Sequence, residues 1–149
     1  GNCCAGWKAR AVVALGNPDR ADDGVAHHVL FALSPREGVE FLTSVKTGLD
    51  LALSLLEYEK VLVIDAGSSV PPGEIALAPL AEEEPRSFRH GLGLAEALRI
   101  LRRMGLAVPE VWVLAIGVSA EQPFQRGLSP AVERALPKAQ EVVERWLRS

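Results

Sequence analysis

The sequence predicts an α/β fold, a three-layer α/β/α sandwich around a five-stranded, mostly parallel sheet with one antiparallel strand. Three observations predict it. Short apolar runs alternate with helix-patterned stretches in the order β-α-β-α-β-β-α-β-α. Two of the runs, Val61-Leu62-Val63-Ile64 and Val111-Trp112-Val113-Leu114-Ala115-Ile116, are apolar throughout, as strands buried on both faces are. Between the third and fourth strands lies only a loop from Ala66 to Pro72 with no helix pattern. A right-handed crossover takes about a dozen residues or more, so the fourth strand must run antiparallel to its neighbours.

Each element has its own signal. The first strand spans Arg10 to Leu15. Gly16 and Pro18 punctuate its end, and Asp22 is suited to N-cap the helix that follows. That helix is expected over Asp23 to Leu33, with Val25, Val29 and Leu33 facing the sheet. After the loop Ser34 to Gly38, Val39, Phe41, Thr43 and Val45 alternate with Glu40, Leu42, Ser44 and Lys46 as a second strand. Thr47-Gly48-Leu49-Asp50 opens a second helix with Leu51, Leu55 and Tyr58 on one side. The third strand ends at Asp65. The fourth covers Glu74 to Leu80, and the polar loop beyond it leads to a helix over Gly91 to Met104 with Leu94, Leu98 and Leu101 aligned. The last helix starts at Ser129 with Pro130 in its first turn, a favoured arrangement. Pro137 lies inside its apolar stripe and is expected to kink or interrupt it.

The 149 residues fit one domain, residues 10–149, preceded by a flexible segment, residues 1–9. Hydrophobic content of 48% and charged content of 23% are ordinary for a globular protein. The net charge of −3, without a cluster of Lys and Arg, disfavours general nucleic-acid binding. No apolar run approaches the roughly 20 residues that cross a bilayer, and no signal-peptide centre is present, so a cytoplasmic location is the expectation. Cys3 and Cys4, the only cysteines, are adjacent; they suit neither an ordinary disulfide nor a structural zinc site.

Chemistry points to Gly16-Asn17-Pro18-Asp19-Arg20-Ala21-Asp22-Asp23-Gly24-Val25, where a strand meets a helix N-terminus. Open α/β sheets place ligands at such turns, and helix N-termini favour ionised carboxylates. Asp19, Asp22 and Asp23 are more acid than capping requires. Asp23 after strand one and Asp65 after strand three would share the carboxyl edge of the parallel strands. His90 follows the antiparallel strand, which ends at the opposite edge. The nine residues from Ala81 to Arg89 can span roughly 30 Å, enough to bring it back. Two carboxylates and an imidazole suit a divalent ion such as Ni²⁺ or Zn²⁺. Each also has a plainer role available: Asp23 as a first-turn acid, Asp65 as a turn former, His90 as a helix-start residue. His27 and His28 are adjacent, not at the i,i+3 or i,i+4 spacing of helical ligand pairs, and are read as surface or packing residues.

The stretch GNPDRADDGV resembles the opening motif of the hydrogenase maturation endopeptidases. Val61 to Ala66 resembles their second motif, His90-Gly91-Leu92-Gly93-Leu94 their third, and Gly127 to Val132 the segment that opens their last helix. The four blocks keep the family's order across nearly the whole chain. The resemblance implies a phosphorylase/hydrolase-like fold with a twisted five-stranded sheet, one strand antiparallel. It implies removal of the C-terminal tail from a nickel-iron hydrogenase large-subunit precursor once nickel has been inserted. It further implies Asp23, Asp65 and His90 as the metal ligands and catalytic set, with the nickel supplied by the precursor. Gly91 and Gly93 would let substrate backbone approach closely. With no convincing Ser–His–Asp or Cys–His arrangement, the expected attack is by water, activated by metal or by a carboxylate, without a covalent intermediate. Ala14 and Ala26 stand where the family often has Gly, and Ser119-Ala120 replaces a Pro-containing stretch.

Three rivals have different signatures. Peptidyl-tRNA hydrolases share a Gly-Asn-Pro turn, but their catalytic histidine commonly precedes Asn, and Asp22 to His28 contains no His-Asn. A nickel-dependent checkpoint protein without cleavage would use the same three ligands. A dinucleotide binder would need G-x-G-x-x-G spacing, absent here.

Overall fold

The structure, a computed structural model, describes residues 9–16, 24–67, 70–80, 93–119 and 128–149. Five strands, β1 (Arg10–Leu15), β2 (Val39–Ser44), β3 (Lys60–Gly67), β4 (Ile75–Pro79) and β5 (Glu110–Gly117), form one sheet in the order β2-β1-β3-β5-β4. The first three pairings are parallel, and β4 pairs antiparallel with β5, Ile75 opposite Ile116 and Pro79 opposite Trp112. The helices are α1 (Val25–Phe31), α2 (Gly48–Ser54), α3 (Leu94–Arg103) and α4 (Pro130–Arg148).

Side-chain alternation along the strands sorts these helices into two layers. Val12, Ala14, Leu62, Ile64, Ala66, Leu114 and Ile116 face Val25, Val29, Val132, Ala139 and Val143 of α1 and α4. Ala11, Val13, Leu15, Val61, Val63 and Val111 face Leu51, Leu94, Leu98 and Leu101 of α2 and α3. The expected three-layer sandwich, its strand count and its single antiparallel strand are all present.

Several boundaries differ from expectation. Helix α1 begins at Val25 with Gly24 at its N-cap and no side-chain cap bond, and it ends at Phe31; Leu33 stays buried just beyond. Residues 1–8, with Cys3 and Cys4, and the expected cap Asp22 lie outside the described residues. Strand β2 stops at Ser44, leaving Val45 at 77% exposure rather than in the sheet. Strand β3 runs two residues past Asp65, because Ala66 and Gly67 continue the ladder opposite Ile116 and Gly117. Helix α3 starts at Leu94, after Gly93 in a left-handed conformation (φ +82°).

The last helix is not interrupted at Pro137. It runs from Pro130 to Arg148, with Ser129 Oγ accepting from the Val132 amide at 3.4 Å as its N-cap. Val132, Ala135, Ala139, Val143 and Trp146 bury its inner face, and this packing outweighs the backbone bond that proline omits. Arg36 grips Glu144 of the same helix through two short bonds, 2.8 and 2.9 Å.

Candidate metal-binding and active site

At the carboxyl ends of the parallel strands, one acidic side chain is enclosed. Asp65 occupies the sixth position of β3, the central strand, opposite Ala115 of β5, and has no solvent exposure. It shares strand parity with Val61 and Val63, which places it toward the layer of α2 and α3. The apolar run before it drives the strand into the core, and the carboxylate arrives with it. Removing a carboxylate from water costs several kcal/mol unless cations or hydrogen-bond donors compensate it. Asp65, the imidazole of His27 and the phenol of Tyr58 are the buried ionisable side chains among the described residues.

The floor of this region is a meeting of chain turns. Gly16, with φ +112°, ends β1; its amide donates to the Ser44 carbonyl at 3.2 Å, tying β1 to the end of β2. Its carbonyl accepts from His27 Nε2 at 2.7 Å. Three residues separate the end of β2 from the start of α2. A Cβ on Gly93 would lie 3.2 Å from the Gly48 Cα, so the starts of α2 and α3 touch. Positive φ and this close approach give Gly93 a local reason to be glycine.

The described residues on either side of the connection from β4 to α3 lie at opposite edges of the sheet. Pro79, the last residue of β4, lies opposite Trp112 near the start of β5, at the amino edge of the sheet. Gly93 lies beside Gly48, next to the carboxyl ends of the parallel strands. Residues 81–92, His90 among them, lie outside the described residues.

Of the five residues singled out in the sequence, Asp65 and Gly93 are placed at this edge. Asp23, His90 and Gly91 lie outside the described residues, although Gly24 and Gly93 beside them are placed. Among the described residues, no three His, Cys, Asp or Glu side chains group as a metal site. Sequence reasoning did not foresee the role of His27. It is 3% exposed and hydrogen-bonded to Gly16, while His28 faces outward. The neighbouring-histidine pattern carries no sign of this, because the partner is a backbone carbonyl eleven residues earlier. Enclosed in this way, His27 is not presented as an exposed catalytic base of the kind a peptidyl-tRNA hydrolase would need.

No described helix is long and apolar enough to cross a membrane. A family model for HycI, hydrogenase maturation protease, matches residues 25–146. Among solved structures, the hydrogenase maturating endopeptidase HybD from E. coli aligns with a TM-score of 0.75 and 25% identity, covering 93% of this chain and 92% of that one. The hydrogenase 2 maturation peptidase of a Thaumarchaeota archaeon aligns at 0.63 and 25% identity, over 93% of this chain and 97% of that one. The nickel-iron hydrogenase maturation protease HybD of Thermococcus kodakarensis, at 0.65 and 23% identity over 92% and 97%, bears on the fold alone. The comparison with curated proteins gave no match. With a matched model across most of its length and the same α/β sheet, the chain belongs to the hydrogenase maturation protease family and is a peptide-bond hydrolase.

Proposed function

We propose that the chain removes the C-terminal tail of a nickel-iron hydrogenase large-subunit precursor after nickel insertion. In this reading Asp23, Asp65 and His90 recognise the nickel carried by the precursor. The supporting observation is the fully buried Asp65 carboxylate at the carboxyl end of the central strand. A carboxylate fixed by a strand has little rotational freedom left to lose when it takes a ligand. The donor set, two carboxylates and one imidazole, fits a borderline divalent ion.

Hydrolysis then needs a water whose hydroxyl adds to the scissile carbonyl carbon while its proton passes to the leaving amine. A divalent ion supplies Lewis acidity at such a site. Within the chain, Asp23 or Asp65 accepts the proton from the water, and Gly93 with Gly91 leaves room for an extended substrate backbone. The alternative of a covalent nucleophile has no support in the residues of the motifs.

Incubating the chain with nickel-loaded and nickel-free precursor tests this directly. The expected result is one shortened product, from loaded precursor only. Asp65→Asn, close in shape but neutral, should reduce cleavage by about 10²-fold or more, a typical cost of losing a metal ligand or base. Equal cleavage of both precursors would refute nickel recognition, and full activity of Asp65→Asn would refute its assignment. Binding of the loaded precursor with no product would favour the checkpoint reading.

A further inference from the structure

We infer that His27 is a positioning residue: its ring holds together the two ends of the segment that carries Asp23. The inference rests on the functional reading above for its consequence, but on described geometry for its substance. His27 is the third residue of α1, and its Nε2 lies 2.7 Å from the carbonyl oxygen of Gly16, just beyond β1. A carbonyl can only accept, so Nε2 carries the proton and donates. The imidazole is 3% exposed, where a polar group costs stability unless bonded, so the contact is made for energetic reasons and not left to chance.

Two further observations give the bond its purpose. Helix α1 is seven residues long, with glycine at its N-cap, no side-chain cap bond and no acidic residue in its first turn. Among the described residues no side chain caps this helix start, and the bond from His27 ties the first turn of α1 to the end of β1. Gly16 is held from both sides, its amide to Ser44 of β2 and its carbonyl to His27 of α1. The segment 17–23 thus begins at a residue fixed to two strands and ends at a helix fixed to that same residue. Asp23 is the last residue of the segment. In the functional reading above Asp23 belongs to the ligand set, and ligand geometry tolerates errors of only about 0.5 Å, so fixed ends of its segment matter to it.

The test compares wild type with His27→Leu and His27→Gln. The amide nitrogen of Gln reaches about as far as imidazole Nε2 and can donate to the same carbonyl; Leu cannot. Three readouts are taken: hydrogen exchange of the peptide covering residues 16–24, thermal midpoint, and cleavage of nickel-loaded precursor. Faster exchange confined to that peptide in His27→Leu, with cleavage down about 10–100-fold, is expected from loss of an outer-shell support. Return of both toward wild type in His27→Gln is expected as well. Unchanged exchange in His27→Leu, or a Gln variant as impaired as Leu, would overturn the inference. So would acceleration spread evenly over the whole chain, which is what a merely structural role produces. Nitrogen NMR of the wild-type imidazole needs no variant: protonation on Nε2 is expected, and the opposite tautomer would overturn the bond. If wild type cleaves no precursor, the functional reading fails, while the exchange and NMR results still decide whether His27 clamps the segment.

Discussion

Tyr58 lies almost completely inside the fold, and its hydroxyl donates to Glu40 Oε2 at 2.6 Å. Burial first, and the carboxylate partner second, push the phenol well above its ordinary value. The folded chain therefore holds the phenolic proton more tightly than the unfolded chain. The resulting stability is complete below about pH 10, the unfolded value, and is lost as pH rises further toward the folded value. Tyr58 is the only tyrosine, so phenolate absorbance reports on it alone. Native protein should show no phenolate signal through pH 10, whereas protein in denaturant should be about half ionised there. Matching curves would contradict the burial. At this scale the sequence was unevenly informative. Asp65 was legible, because an acid directly after four apolar residues is conspicuous. The bonds of His27 and Tyr58 were not, since one partner is a backbone carbonyl and the other is Glu40 of β2, 18 positions earlier.

Single elements formed where periodicity and packing agreed. The apolar runs of β3 and β5 announced central strands, but their last residues were hidden. Gly67 and Gly117 have no strand signal of their own and are held by pairing with each other across the ladder. Gly117 illustrates why that edge is crowded: a Cβ there would collide with the carbonyl of Pro71 and lie 2.6 Å from that of Val70. Helix α4 shows the opposite case, a local signal overridden. Pro137 is solvent-exposed and supplies no buried surface, while its missing N–H and its ring cost up to about 3 kcal/mol in a helix interior. Pro137→Ala should therefore stabilise the chain by about 1–3 kcal/mol in denaturant titration. A loss of stability would mean that the proline sets the curvature α4 needs to lie on β5 and β4.

At the scale of the molecule, the proposed function gives the two edges of the sheet separate duties. The carboxyl edge carries Asp65, the Gly16 turn and the contact of Gly48 with Gly93. The amino edge carries a latch that closes the fold. Arg10, at the start of β1, donates from Nη1 to the Leu147 carbonyl at 2.7 Å and from Nη2 to the Ser149 backbone oxygen at 2.9 Å. Its guanidinium also sits 5.9 Å from the centre of the Trp146 ring. A cation at a helix C-terminus opposes the negative end of the dipole and satisfies carbonyls that the helix leaves open. The overall layout was readable from element order alone, but this latch joins residues at opposite ends of the chain and no local pattern could reveal it. Because it lies a strand's length from Asp65, stability and chemistry should separate. Arg10→Ala should cost about 1–2 kcal/mol in unfolding, the combined effect of charged hydrogen bonds that remain partly in water. Cleavage per folded molecule should stay within about twofold, since distant sites act nearly independently. A large loss of cleavage at unchanged stability would show that the amino edge reaches the site, and that the two edges do not work apart.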